Sequence, residues 1–126
     1  MVEQARGSNE KKIAVIAKIE DDPDMDLLSK ILKSVELDDT KDVLLLKSTP
    51  ATRFSLIDLC RQTDSHTVLL FGIPPNQLGL QFRLKKYTPF DINGIKGIWA
   101  DPLTEIRDSR ELKTALWSSL KSLFPN

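Results

Sequence analysis

Three short runs, Ile13–Ile19, Val43–Leu46 and Thr67–Phe71, are apolar at nearly every position instead of at alternate ones. A strand with one wet face alternates, so such runs predict strands covered on both faces, as in a parallel sheet. Ile95–Ala100 (I-K-G-I-W-A) predicts a further strand, closed by Asp101-Pro102. Between the first two runs, Leu27, Leu28, Ile31, Leu32 and Val35 fall within one arc of about 140° at helical spacing. That is a helix lying on a sheet, with Pro23 and acidic residues suited to its first turn. Ser48-Thr49-Pro50 predicts the start of a second helix, reaching about Gln62 with Phe54, Leu56, Ile57, Leu59 and Cys60 as its apolar positions. Asp108 and Glu111 have capping-box spacing before a last helix. That helix places Leu112, Ala115, Leu116, Leu120 and Leu123 on one face, with Trp117 and Phe124 towards the edge.

The stretch from Gln81 to Asn93 alternates only weakly and predicts a short strand or extended loop, with Asn93-Gly94 as a turn. Residues 1–12 are polar and without period, which predicts a flexible tail before a single domain over 13–126. The β-α-β-α-β order implies right-handed crossovers. The expected fold is α/β, a three-layer α/β/α sandwich with a mainly parallel sheet of four or five strands.

Composition narrows the possible functions. The chain has 126 residues, with 18 Lys+Arg against 18 Asp+Glu. Zero net charge argues against strong nonspecific nucleic-acid binding, which needs a cationic surplus on one face. The single cysteine, Cys60, makes no internal disulfide, so a reducing compartment is expected. Without a secretory apolar region or a membrane-length apolar run, a cytoplasmic protein with no membrane contact is expected.

Candidate chemistry gathers where the strands end. Gly72-Ile73-Pro74-Pro75-Asn76 follows the Thr67–Phe71 run, at the carboxyl end where open α/β sheets bind ligands. The acidic run Glu20, Asp21, Asp22, Asp24 and Asp26 could offer oxygen ligands to Mg²⁺. Its plainer reading is a solvated helix start favoured by the helix dipole. His66 lacks an obvious orienting group for acid–base work. Cys60, among apolar helix positions, reads as a core residue. Arg83, Lys85 and Lys86 beside Tyr87 form a local basic cluster that could grip a phosphate backbone or an acidic partner, although a solvated edge is the plainer reading. There is no Gly-rich phosphate loop and no Gly-x-Ser-x-Gly elbow. Trp99 and Trp117 are candidate partner anchors, with core packing the plainer role for both, by a narrow margin for Trp117 and a wide one for Trp99.

Taken as a series, these segments resemble the uracil-DNA glycosylase-like fold. Asp26–Leu37 and Asp42–Leu46 resemble its first helix and second strand, and Val68–Leu80 resembles its strand, Gly and short-helix segment. Asp101-Pro102-Leu103, followed by Leu112-Lys113 and Leu116-Trp117, falls where the glycosylases carry a His-Pro loop and final helix. Within that fold the chain is most similar to a non-catalytic branch, the psi subunit family of the bacterial DNA polymerase III clamp loader. The likeness includes the Thr-Pro helix start, Pro102-Leu103-Thr104 and Ala115-Leu116-Trp117. The resemblance implies a scaffold protein of DNA replication that binds clamp-loader or other replisome subunits, with no cofactor and no metal.

Where the glycosylases need a Gly-containing loop, this chain has Lys18–Asp24 without glycine. Where they need an electrophilic His, it has Asp101, a carboxylate that disfavours a developing anion. Glu20, Asp21, Asp22, Gly72, Pro74, Pro75, Asn76 and Asp101 are therefore expected to mark an inherited site position with no catalytic residue. Trp117, Phe124, Arg83, Lys85, Lys86 and Tyr87 are the expected partner-binding residues. Two alternatives stay open: a divergent uracil-DNA glycosylase-like repair enzyme, and a small-molecule or nucleotide-binding module using the same loops.

Overall fold

The computed structural model describes residues 5–6, 12–19, 22–35, 37, 43–47, 55–73, 85–92 and 94–123. Its strands are β1 (Ala5–Arg6), β2 (Ile13–Ala17), β3 (Val43–Lys47), β4 (Thr67–Phe71), β5 (Phe90–Ile92) and β6 (Ile95–Ala100). Its helices are α1 (Asp22–Ser34), α2 (Leu56–Thr63), α3 (Leu103–Arg107) and α4 (Arg110–Leu123). The strands form one sheet in the order β1-β3-β2-β4-β6-β5. The inner four are parallel; β1 and β5 are antiparallel edges.

The unbroken apolar runs are explained by cover on both faces. Ile13, Val15 and Ala17 of β2 join Val43, Leu45, Leu69, Phe71, Ile98 and Ala100 beneath α1, α3 and α4. Ala14 and Ile16, with Leu46, Val68 and Leu70, face α2 through Leu56, Leu59 and Cys60. Helices on both faces of a mostly parallel sheet make this an α/β fold, consistent with an α/β/α sandwich. Helix α1 buries Leu27, Leu28, Ile31 and Leu32. Each such side chain contributes about 1.5–3 kcal/mol by leaving water.

Several elements depart from expectation. Helix α2 begins at Leu56 with Ser55 as its cap, the Asp58 amide donating to Ser55 Oγ at 3.2 Å. The expected start at Ser48-Thr49-Pro50 and the helix position Phe54 lie outside the described residues. Asp108 does not cap α4. It ends the short helix α3, which the sequence reading lacked. Ser109 Oγ instead accepts from the Leu112 amide at 3.2 Å. A hydroxyl one position later takes the capping role, because Asp108 is already used in leaving α3.

The stretch before Asn93 contains β5, and Gly94 takes the turn geometry expected of it, while Asn93 lies outside the described residues. Gly94 adopts φ +85, and its amide donates to Asp91 Oδ1 at 3.1 Å. Across the hairpin Phe90 pairs with Gly97. A Cβ on Gly97 would lie 2.4 Å from Val68 Cγ2 and 2.7 Å from Phe90 Cζ, so the strand glycine makes room for its neighbours. Within the expected tail, Ala5–Arg6 pairs with Leu45–Leu46 of β3. No helix among the described residues is long and apolar enough to cross a membrane.

Candidate functional site

From β2 the chain crosses to β3 on one side and then returns to β4 on the other, so the direction of sheet growth reverses between β2 and β4. Ligands of open α/β sheets bind outside the strand ends at such a point. Here the described backbone at that point is tied together. The Lys18 amide donates to Phe71 O at 3.1 Å, and the Gly72 amide to Ala100 O at 3.0 Å. Gly72 has φ +75, and a Cβ there would stand 3.0 Å from Pro102. Ile73 is buried. Gly72 thus seats the end of β4 against the loop after β6. Pro74, Pro75 and Asn76 lie outside the described residues.

Asp101, which follows β6, is held on both carboxylate oxygens. Lys86 Nζ donates to Oδ1 at 2.5 Å and the Tyr87 hydroxyl to Oδ2 at 2.7 Å. The Asp101 amide donates back to the Tyr87 oxygen at 3.3 Å. Tyr87 has φ 61, and its amide donates to Trp99 O at 2.9 Å. Ser119 of α4 places its hydroxyl 2.5 Å from Tyr87 O and 2.8 Å from Ala115 O. Lys86 Nζ also lies 5.4 Å from the centre of the Trp99 ring, a cation–π distance.

Burial works to raise the Asp101 pKa, but the bonds from Lys86 and Tyr87 and the Lys86 charge together outweigh it and hold the carboxyl below its ordinary range. Burial, then the bond to Asp101, pushes the Tyr87 phenol above its ordinary value. The result is an ionised carboxylate, neutralised and fully bonded, next to a phenol that keeps its proton. Its evident effect is to clamp residues 86–87 against β6 and α4.

This arrangement brings together residues the sequence reading kept apart. Asp101, an expected site-loop residue, grips Lys86 and Tyr87 of the expected partner-binding cluster. Lys85 is exposed, and Arg83 lies outside the described residues.

The acidic run also divides. Glu20 and Asp21 lie outside the described residues; Asp22 and Asp26 are exposed on α1. Asp24 overturns the expectation of a solvated helix start, because it is 0% exposed. Thr104 Oγ1 donates to its Oδ2 at 2.8 Å and Arg107 Nη1 to its Oδ1 at 3.2 Å. A buried carboxylate needs such partners, and these tie the first turn of α1 to α3. Among the described residues, no group of three or more His, Cys, Asp or Glu side chains could hold a metal ion. His66 is exposed, 3.6 Å from Asp64. Cys60 is buried, which pushes its thiol up to about 11.

On the opposite side of the helix layer, Trp117 is half-buried against the core and lines two grooves. One, of about 370 Å³, lies between α1 and α4 and includes Pro23, Asp26, Lys30 and Lys113. The other, of about 380 Å³, runs along the outside of α4 past Lys113 and Lys121. Phe124 lies outside the described residues.

Thr104, Arg107 and Ser119 were missed by sequence reasoning. Part of the signal was present. Asp24 falls at about 60° on the α1 wheel, inside the apolar arc, and Ser119 falls inside that of α4. A polar residue inside an apolar arc demands a buried partner. Nothing in either helix names that partner. No protein-family model matches the chain, and no curated protein matches it.

Proposed function

We propose that this chain is a non-catalytic interaction domain built on a uracil-DNA glycosylase-like fold, similar to the psi subunit family of the bacterial clamp loader. On this reading it works in the cytoplasm, in DNA replication, by binding clamp-loader or other replisome subunits. The observation that carries the reading is the state of Asp101. Its carboxylate has both oxygens bonded, to Lys86 and Tyr87, and on the resemblance it falls where a glycosylase needs an electrophile. Such a group repels the negative charge that base release develops. The tied backbone at the ends of β2 and β4 supports the same reading. The half-buried Trp117, rigid and amphipathic, is the kind of side chain that dominates partner contacts.

Co-purification with clamp-loader subunits is the test. Retention of a subunit at micromolar concentration is the expected result. Failure to bind any replisome component at that concentration overturns the replication role. Release of uracil from single-stranded DNA overturns the non-catalytic one.

A further inference from the structure

We infer that the face around Trp117 recognises an acidic, extended peptide segment carrying an apolar side chain. The inference rests on reading this face as a protein contact, and it names the chemistry of what binds. Lys113, Trp117 and Lys121 are spaced four apart, which aligns them in one row along α4. Thr114 and Ser118 line the outer groove beside that row and are exposed, offering hydroxyls to a peptide backbone. Across the inner groove stand Pro23 and Lys30 of α1. The tryptophan thus stands between two grooves, with cations at both ends of its row and across from it.

The charges around it are unbalanced. Lys30, Lys113 and Lys121 form no ion pair among the described residues, whereas Arg107, at the back of the inner groove, is paired with Asp24. Three lysines against the single carboxylate of Asp26 leave a cationic surplus around the aromatic, which calls for carboxylates flanking an apolar side chain. Long-range attraction steers such a segment in, and burial of its apolar residue against Trp117 holds it.

The same groove disfavours a nucleic acid. Asp26 lines it beside Lys30 and Lys113. A phosphodiester chain carries a charge on every unit and cannot avoid that carboxylate, whereas a peptide can place a neutral residue opposite it. Three cations also release too few counterions for tight backbone binding.

The experiment uses the full chain and three probes. They are a short amidated peptide of Asp and Glu around a central Phe, the same peptide with Lys replacing the acids, and oligothymidylate of equal charge. Binding is followed by tryptophan fluorescence and calorimetry. The acidic peptide is expected to bind with a Kd below about 1 mM and to weaken as salt rises. Lys113→Glu with Lys121→Glu, at solvent-facing positions, is expected to weaken it about tenfold or more. Trp117→Phe keeps an aromatic in the core and is expected to abolish the fluorescence response while leaving circular dichroism unchanged.

Acidic-peptide binding absent up to that concentration, binding unaffected by the double substitution, or equal binding of oligothymidylate each overturns the inference. The two readings fail separately. If clamp-loader subunits bind the double variant as well as the natural chain, the groove is wrong and the replication role stands. If the peptide binds and no replisome subunit does, the reverse holds.

Discussion

Asp24 and Arg107 lie 83 positions apart and meet in a contact that is fully buried on the carboxylate side. Removing the acid by Asp24→Ala takes away the carboxylate that Thr104 Oγ1 and Arg107 Nη1 bond to, while Arg107 Nε stays 3.9 Å from Asp108 Oδ1. Arg107 is 31% exposed and recovers part of its hydration, so the expected loss is about 2 kcal/mol and not the full cost of an orphaned buried charge. Urea unfolding measures it. The Asp24→Ala, Arg107→Leu cycle should return a coupling of comparable size, and a coupling near zero would remove the pair from the account.

Cys60 supplies a second test at residue scale, through pH. Its thiol rises from 9.0 to about 11 on burial, so the folded chain holds its proton where the unfolded chain has lost it. Stability from this group is constant below about pH 9 and falls between about 9 and 11. The total loss is about 2–3 kcal/mol. Cys60→Ala should flatten that part of the pH–stability curve; an unchanged slope would show the thiol to be uninvolved.

At the scale of elements, capping decides where helices begin. The Ser109 hydroxyl, not the Asp108 carboxylate, meets the Leu112 amide at the start of α4. Ser109→Ala should cost about 1 kcal/mol in chemical unfolding, and Asp108→Ala a few tenths. The opposite ranking would restore Asp108 as the cap. The strap around Tyr87 shows how elements far apart in sequence fix one another. Asp101 holds its hydroxyl, β6 its amide through Trp99 and α4 its carbonyl through Ser119. A residue with positive φ is kept in place by three contacts, two from β6 and the residue after it and one from α4, which offsets its backbone strain.

For the whole molecule, β2 and β4 form the centre, each flanked on both sides by parallel strands and covered on both faces. Their amides open only when the sheet does. Hydrogen exchange should therefore be slowest in Ile13–Ala17 and Val68–Phe71, approaching the global unfolding free energy, and fastest among the strands in the edges β1 and β5. Comparable protection in β5 and β4 would contradict this layout. The proposed partner face lies outside that centre. Trp117 rests on the rigid helix layer, so a bound segment meets a preformed surface and pays little for ordering it.

The elements and the candidate chemistry differed in how far they could be read from the chain. The buried strands, the arc of α1, the core face of α4 and the turn at Gly94 were legible, because periodicity and turn chemistry report which face of a local segment leaves water. Cys60 in the core followed from the same pattern. Pattern alone leaves open what each face meets. The strand order, the added edges β1 and β5, the Asp24–Thr104–Arg107 contact and the clamp on Asp101 depend on backbone pairing and on side chains brought together from distant positions. Backbone hydrogen bonds are alike in every sequence, and a carboxylate's role is set by the donors that reach it. For that reason the chain by itself determined its layers and its central strands. Only the tertiary structure decided that Asp101 is spoken for, that Asp24 is interior, and that Lys30, Lys113 and Lys121 gather around Trp117.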